Sequence, residues 1–381
     1  MKLIPYSRQN IDSQDIREVI KVLKSDLITQ GPKIKEFEDA LCAYTGARYC
    51  VCVSSGTAAL HIAALAAGVK PGDEAITSPI TFAASANCVL YAGAKPVFAD
   101  VSEDTINIDP GEIKKKITKK TKAIIPVDFA GHPCELEEIH KIAKERGLVV
   151  IEDAAHALGA EYNREKIGSG CYSDMAIFSF HPVKAITTGE GGAVLTNNKT
   201  FYDRLLMLRT HGITKGNLVY AAQGGWYYEM QELGFNYRIT DIQAALGVSQ
   251  LKKIDKFIFR RRKIAGIYDR AFRDNPAFDI PIEEKGAKSA YHLYPIQLKG
   301  AFKNKRKEVF EKLRLKGLGV QVHYIPVYLQ PYYRKNLQYK PGSCPNAEDY
   351  YSRCISIPLY PSMSDTQIKQ VITTVKEVLY V

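Results

Sequence analysis

Short apolar runs alternate with amphipathic segments through the first part of the chain. The runs are rich in valine and isoleucine, and the segments between them carry apolar residues at helical spacing. Such alternation predicts a largely parallel sheet covered by helices, and therefore an α/β fold. The predicted strands are residues 49–53, 74–77, 96–100, 123–127, 148–152, 175–180 and 193–196.

The pattern changes in the second part of the chain. Residues 242–272 are helix-rich and strongly basic, and we expect them to lead into a second unit. Beyond them, residues 291–298 and 320–324, with helices at 305–315 and 365–379, predict a smaller α+β domain. We therefore divide the chain into an N-terminal arm and large domain, residues 1–250, and a C-terminal small domain, residues 251–381.

Bulk composition excludes several classes of protein. At 381 residues and 46% hydrophobic content, the chain can form two substantial cores. No apolar run reaches membrane-spanning length, and the start turns polar too soon for a signal peptide, so we expect a cytoplasmic protein with no membrane partner. The eight cysteines are scattered, and only Cys50 and Cys52 lie close together, on one face of a predicted strand. This spacing favours reduced thiols over disulfides, and we expect no metal.

Net charge is +11, which raises the possibility of nucleic-acid binding. The densest basic run, residues 114–122, has no interleaved aromatic residues and no recognised binding motif. A solvated helix face is therefore the favoured interpretation, and no nucleic-acid partner is expected. General positive potential would still favour an anionic substrate such as a sugar nucleotide.

Lys184 is the strongest candidate for chemistry. It lies between the apolar strand at 175–180 and the turn at Gly191 and Gly192. Desolvation at a strand end lowers the pKa of an ammonium group, and the free amine can then form a Schiff base with an aldehyde. The cofactor that this chemistry suggests is pyridoxal phosphate. A lone lysine in a loop is more often an ordinary surface residue, so the assignment depends on the segments that follow.

Asp153 directly follows the strand predicted at 148–152, at the edge where open α/β sheets bind ligands. Its carboxylate is suited to pair with a protonated pyridine nitrogen, and the alternative is a helix cap or turn residue. His156 follows one turn later and is either a contact of the cofactor ring or a core histidine.

Two further segments follow strand ends. Gly56 and Thr57 open a predicted helix, where free backbone amides and a hydroxyl can bind phosphate, although Ser-Gly-Thr is also an ordinary helix cap. Phe82 lies at the next strand-to-helix junction, where it would either stack on the pyridine ring or belong to the core.

Taken in this order and spacing, together with residues 234–247, these segments resemble the DegT/DnrJ/EryC1/StrS family of nucleotide-sugar aminotransferases. The resemblance runs from about Tyr6 to the C-terminal helix. It implies fold-type I of the pyridoxal phosphate enzymes, which has a large and a small domain. Residues 178–192 are most similar to the transaminases of pseudaminic acid synthesis.

The resemblance also implies roles for individual residues. Lys184 and Asp153 match the catalytic pair, and the implied cofactor contacts are Gly56, Thr57, Phe82, Asp153, His156, Ser179, Lys184 and Asn236. Many relatives have glutamine where this chain has His156. Asn236 matches an asparagine that reaches the phosphate of the neighbouring subunit's cofactor, which implies a homodimer. The alternative is a helix cap or turn residue within its own subunit. Implied substrate contacts are Tyr6, Leu27, Ile28, Thr29, Gln321, Val322, His323 and Tyr324.

The implied reaction moves an amino group from L-glutamate to C4 of a UDP-linked 4-keto-6-deoxy-N-acetylhexosamine. Its product would be UDP-4-amino-4,6-dideoxy-N-acetyl-β-L-altrosamine, for pseudaminic acid biosynthesis. No residue identifies the donor site, and Arg238 is only a candidate for the donor carboxylate. Alternatives are a UDP-4-keto-pentose or dTDP-4-keto-6-deoxyhexose as substrate and, more remotely, a non-catalytic nucleic-acid-binding or regulatory protein. A sugar dehydrase is disfavoured because Lys184 is present.

Overall fold

The computed structural model describes residues 3–380. Its helices are α1 Ser13–Leu23, α2 Pro32–Thr45, α3 Gly56–Ala66, α4 Ala84–Tyr91, α5 Pro110–Lys116, α6 Leu136–Arg146, α7 Lys199–Arg209, α8 Asp241–Leu251, α9 Ile254–Phe272, α10 Arg306–Leu315, α11 Pro331–Asn336, α12 Pro345–Arg353 and α13 Asp365–Leu379. Its strands are β1 Tyr49–Val53, β2 Glu74–Thr77, β3 Lys95–Phe98, β4 Thr121–Ile125, β5 Val149–Asp153, β6 Glu161–Tyr162, β7 Glu165–Lys166, β8 Met175–Ser179, β9 Gly192–Thr196, β10 Ile213–Thr214, β11 Glu229–Met230, β12 Phe278–Asp279, β13 Ala287–Lys288, β14 Tyr294–Leu298 and β15 Cys354–Ile357.

The central sheet has seven strands in the order β1-β9-β8-β5-β4-β2-β3. Strands β8, β5, β4, β2 and β3 pair in parallel. Strand β9 is antiparallel to both of its neighbours, so β1 runs in the same direction as β8. The predicted α/β class with a mostly parallel sheet is therefore confirmed, with one reversed strand.

Strand β1 shows how the sheet separates its two helical layers. Cys50 and Cys52 lie in the apolar cluster that includes Phe37 of α2, whereas Val51 and Val53 face the cluster beneath α3. This is the alternation expected of a pleated strand. All eight cysteines carry free thiols, and Cys50 and Cys52 share one face as predicted.

A second sheet, β12-β14-β15, forms a separate apolar core with α9, α10 and α13. Ile4 packs in this core, so the N-terminal segment returns to the C-terminal part of the chain. The division at residue 250 stays a prediction. The clusters show only that α9 contributes to both cores, through Phe257 and Ile258 on one side and Ile264 and Tyr268 on the other.

Several predicted boundaries shift. The strand predicted at 96–100 is Lys95–Phe98, and the one predicted at 123–127 is Thr121–Ile125. The helix predicted to open within 234–247 begins at Asp241, capped by Thr240, and ends before a short break that separates it from α9. Residues 320–324 form no strand, because Gln321 makes only an isolated bridge to Ser356.

The basic run at 114–122 covers the end of α5 and the loop after it. Lys114 pairs with Glu138 at 2.7 Å, and Lys115 pairs with Glu112 at 2.6 Å. These exposed ion pairs are typical of a solvated helix face. Among residues 3–380, no helix combines the length and hydropathy that crossing a bilayer requires.

Candidate active site

A cavity of about 490 Å³ lies at the carboxyl ends of β5 and β8, against the N-termini of α3 and α4. This is the edge of an open sheet at which ligands bind. It brings together many of the residues predicted from the sequence. Those that line it are Tyr6, Gly56, Thr57, Phe82, Asp153, His156, Ser179, Lys184, His323 and Tyr324.

Lys184 lies in the loop between β8 and β9. Its backbone amide donates to the carbonyl of His181 at 2.9 Å, and the hydroxyl of Ser7 donates to the carbonyl of Val183 at 3.1 Å. Burial lowers the pKa of Lys184 to about 8, although the nearby Asp153 carboxylate opposes the shift. A lysine in this setting supplies a free amine at near-neutral pH, which is what nucleophilic attack on an aldehyde requires.

Asp153 is buried at the end of β5. Its Oδ2 accepts a hydrogen bond from Ser85 Oγ at 2.5 Å, and its Oδ1 accepts from the amide of Ala155 at 3.2 Å. Burial raises the pKa of Asp153, whereas these two hydrogen bonds and Lys184 oppose the shift. A cationic ring nitrogen placed against Asp153 would offset the desolvation of the carboxylate.

The start of α3 forms an anion cradle with β8. Ser55 Oγ caps the helix through the amide of Ala58, and Gly56 and Thr57 are the first two residues of the helix, where backbone amides have no carbonyl one turn earlier. A Cβ on Gly56 would lie 2.9 Å from Cβ of Ser179. A Cβ on Gly192 would lie 2.5 Å from the carbonyl oxygen of Ser55. Glycine at these two positions therefore allows Ser179 to reach the helix start, where phosphate binding is favoured.

His156 lies on one wall of the cavity. Its Nε2 is 3.3 Å from the hydroxyl of Tyr324, and its ring centroid lies 4.2 Å from that of His292. Burial lowers the pKa of His156 well below its usual value, and the Lys184 ammonium adds to the shift. Among the described atoms, Nδ1 of His156 is buried without a hydrogen-bond partner. The two interpretations of His156 therefore coexist, because it is buried and also borders the cavity.

Two aromatic side chains complete the cavity. Phe82 is 63% exposed despite its place between β2 and α4, so the alternative that it belongs to the core is wrong. Tyr6 packs against His323 with ring centroids 5.3 Å apart. An exposed aromatic ring at a cavity wall is suited to stack on a planar ligand.

Several predicted residues lie outside this cavity. Asn236 is exposed and bridges to Thr210. Because Thr240 caps α8, the interpretation of Asn236 as that helix's cap is wrong, whereas a local role within its own subunit stays open. Arg238 pairs with Val53 and does not line the cavity either. Leu27, Ile28, Thr29, Gln321 and Val322 also lie outside it.

The predicted N-terminal turn is nevertheless close to the cavity. Thr29 bridges to Thr240, whose capping partner Gln243 donates to the carbonyl oxygen of Glu190 at 2.7 Å. Glu190 lines the cavity. The turn is thus joined to the cavity wall through the start of α8.

Several polar residues of the cavity were not predicted from the sequence, among them Ser85, His181 and Glu190. Ser85 gave no signal, because a serine in the first turn of a helix is common. His181 and Glu190 flank the lysine within 178–192, and their proximity to Lys184 in the chain was the available signal.

These groups suit pyridoxal phosphate. The cradle of Gly56, Thr57 and Ser179 fits its phosphate, Asp153 fits its ring nitrogen, and Lys184 fits its aldehyde. All three functions are present in one cavity, which a structural lysine or a capping aspartate would not explain.

Known proteins share both this sequence and this fold. A sequence model described as the DegT/DnrJ/EryC1/StrS aminotransferase family matches residues 9–376. The UDP-4-amino-4,6-dideoxy-N-acetyl-β-L-altrosamine transaminase of Campylobacter jejuni (serotype O:2) is 43% identical over 380 residues, covering 99% of this chain and 98% of the relative.

Solved structures agree. Helicobacter pylori PseC, an aminotransferase involved in the biosynthesis of pseudoaminic acid, superimposes with a TM-score of 0.93 at 36% identity over 100% of both chains. The PLP form of Spr1654 from Streptococcus pneumoniae, which is described as a sugar aminotransferase, gives a TM-score of 0.91 at 33% identity over 99% of this chain and 98% of its own. The chain is therefore a pyridoxal-phosphate-dependent aminotransferase of fold-type I and belongs to the DegT/DnrJ/EryC1/StrS family.

Proposed function

We propose that the enzyme transfers an amino group from L-glutamate to C4 of a UDP-linked 4-keto-6-deoxy-N-acetylhexosamine. The product would be UDP-4-amino-4,6-dideoxy-N-acetyl-β-L-altrosamine, an intermediate for pseudaminic acid. The observation that carries this proposal is the 43% identity, over nearly the whole chain, to the Campylobacter jejuni transaminase named for that product. The similarity to PseC supports it.

The side chains of the cavity support the chemistry. When bound, pyridoxal phosphate supplies an electron sink for the bonds at the donor's α carbon. Lys184 Nζ, whose pKa is lowered to about 8, would take a proton from that carbon and deliver it to the cofactor carbon that carried the aldehyde. Asp153 would hold the ring nitrogen protonated, and His156 stays neutral because burial lowers its pKa. The partly enclosed cavity limits access of water to these groups.

Substrate preference tests the proposal. Purified enzyme would receive L-glutamate with the UDP-linked 4-keto-6-deoxy-N-acetylhexosamine made by an inverting dehydratase, and the 4-amino sugar would be identified by mass and NMR. We expect it to form, and the dTDP analogue to react poorly. Equal kcat/KM for the two nucleotides, or preference for the UDP-4-keto-pentose, would reassign the substrate while leaving the aminotransferase chemistry intact.

We further propose that the active unit is a homodimer with shared sites. Among the described residues that line the cavity, Lys184 is the only lysine or arginine, whereas the substrates carry a diphosphate and carboxylates. A second copy could supply the missing cations and Asn236. The segment around β10 and β11 exposes large apolar side chains suited to an interface: Val219, Tyr220, Trp226, Tyr228, Met230 and Leu233.

Subunit complementation tests this arrangement. Lys184→Ala and Asn236→Ala should each be nearly inactive alone. Mixed and allowed to exchange subunits, they should regain activity, because a heterodimer of C2 geometry has one site with both defects and one with neither. If mass measurements confirm exchange and no activity returns, Asn236 does not act across an interface.

The enzyme is also expected to work in the cytoplasm. Its eight free thiols support that location, since reducing compartments keep cysteines unpaired.

A further inference from the structure

Two acidic side chains face each other beneath the site. Asp128 follows β4 and is 0% exposed, and Glu152 of β5 is 2% exposed. Glu152 immediately precedes Asp153, and strand alternation sends its side chain to the opposite face of the sheet. Neither carboxyl lines the active-site cavity.

Each carboxyl is bonded through one oxygen only. The amide of Cys134 donates to Oδ1 of Asp128 at 2.9 Å, and Ser173 Oγ donates to Oε2 of Glu152 at 2.6 Å. The other oxygens, Oδ2 of Asp128 and Oε1 of Glu152, are buried without a donor among the described residues. The two side chains lie within hydrogen-bonding reach of each other.

No cation balances the pair. No ion pair within residues 3–380 involves Asp128 or Glu152. The titratable groups that influence the pair are the Cys134 thiol, which lies beside Asp128, and Asp153, whose side chain lies on the opposite face of the sheet. Two buried carboxylates without a cation would repel each other and pay the full desolvation cost. Burial raises the pKa of both groups, and Glu152 raises that of Asp128 further.

We propose that Asp128 and Glu152 share one proton between Oδ2 and Oε1, and that this bridge is a positioning device for Asp153. On ionisation from the fully protonated pair, one proton leaves to solvent and the other stays between the two oxygens, which leaves a single negative charge. Like-charge carboxyl pairs retain a proton for this reason.

The bridge can influence the position of Asp153 because backbone hydrogen bonds also connect the segment after β4 to the end of β5. The amide of Asp128 donates to the carbonyl of Asp153 at 3.2 Å, and the amide of Asp153 donates to the carbonyl of Pro126 at 2.8 Å. The hydrogen bond between Asp128 and Glu152 joins the segment after β4 to the end of β5 a second time, on the face of the sheet opposite the Asp153 side chain. It therefore fixes the position and orientation of the Asp153 carboxylate, which would face the ring nitrogen of the cofactor.

Infrared spectroscopy of the holoenzyme tests the shared proton. At pH 8, where exposed carboxyls are ionised, the wild type should show a carboxylic-acid C=O band that the double variant Asp128→Asn/Glu152→Gln lacks. Glu38→Gln is the matched control, because the buried Glu38 accepts from the Arg209 guanidinium at 2.6 Å and should leave the band unchanged. No difference between wild type and double variant would overturn the proposal.

Rescue by an amide tests the positioning role. Glu152→Ala should lower the rate of the half-reaction with amino donor by about tenfold or more and shift the absorption of the bound cofactor, because Asp153 loses its support. Glu152→Gln can donate its amide to Asp128 and accept from Ser173, so both readouts should stay near wild type. The positioning role would be refuted if Glu152→Gln lost as much rate as Glu152→Ala, or if a folded Glu152→Ala lost none.

The positioning role rests on the aminotransferase chemistry, and the two experiments separate it from the proposed substrate. The infrared comparison needs neither donor nor sugar, so its outcome is independent of substrate identity. If Glu152→Ala fails to fold, the comparison of Glu152→Gln with wild type still decides, because loss of rate in that isosteric variant contradicts the bridge.

Discussion

Ser85 donates a hydrogen bond to Asp153 across 68 positions of the chain, with 2.5 Å between Oγ and Oδ2. The bond lowers the pKa of a carboxyl that burial otherwise raises. Ser85 therefore keeps Asp153 in the ionised form that a pyridinium requires. The contact exists because α4 begins beside the end of β5.

Ser85→Ala should remove the hydrogen bond to Asp153 and slow the reaction. Hydrogen bonds to charged groups contribute about 1.5–3 kcal/mol, which corresponds to roughly 10- to 150-fold in kcat. Steady-state kinetics at saturating cofactor would measure the loss. Ser78→Ala is the control, since Ser78 is a buried serine that bonds to the backbone of Ile80, and it should remain close to wild type.

Asp153→Asn keeps the shape and removes the charge. The ring nitrogen should then lose its proton, and the barrier should rise by about 2–4 kcal/mol, or roughly 30- to 1000-fold in rate. Kinetics together with absorption of the bound cofactor would report both effects. A wild-type rate would mean that another residue holds the nitrogen. Asp203→Asn serves as the control, because Asp203 is exposed and forms an ion pair with Lys199 at the surface.

Lys184→Ala should abolish turnover and leave the cofactor held only noncovalently. Lys184→Arg should do no better, because a guanidinium stays protonated and cannot condense with an aldehyde. Borohydride reduction followed by peptide mass analysis would show whether the cofactor is attached at residue 184. Multiple turnover above about one per cent of wild type in either variant would remove Lys184 from its role.

Covalent attachment of pyridoxal phosphate to the apoenzyme should depend on pH through Lys184. The amine reacts only when unprotonated, so the rate should rise about tenfold per pH unit below the pKa of about 8 and level off above it. An ordinary lysine would keep gaining rate to about pH 10.4. Asp153→Asn should move the midpoint downward, because Asp153 raises the pKa of Lys184. A midpoint near that of a free lysine would contradict the burial of this amine.

Gly56→Ala should weaken cofactor binding. The added Cβ would lie 2.9 Å from Cβ of Ser179, so the cradle must open at a cost of about 1–3 kcal/mol, or roughly 5- to 150-fold in Kd. A titration of apoenzyme with pyridoxal phosphate would measure it. Gly266→Ala is the matched control, because that helical glycine has only the end of Arg270 within 4 Å. Unchanged affinity in Gly56→Ala would place the phosphate elsewhere.

Periodicity predicted most of the fold because it acts locally. The strands at 49–53 and 74–77 and the helices near 305–315 and 365–379 agree with the structure to within one residue. The reversed direction of β9 was not predicted, since a run such as Ala193 to Thr196 reads the same in either direction.

Some residues of the site could be predicted from the sequence and others could not, for a physical reason. Lys184, Asp153 and Gly56 follow strand ends, and the carboxyl edge of a parallel sheet collects them whatever the rest of the chain does. Ser85 lies there only through the packing of α4, which no short sequence pattern encodes. The role expected for Asn236 would require a neighbouring subunit, and it stays a prediction.

The pairing of β8 with β9 places both ends of the Lys184 loop beside each other. Ser179 and Gly192 are cross-strand partners, and both border the start of α3 where the phosphate is expected. The twelve-residue span that carries Lys184 thus begins and ends at the same anion cradle. Phosphate binding would immobilise both ends of this span before any covalent bond forms. Affinity for the cofactor and the conformational stability of its own attachment loop are therefore thermodynamically linked.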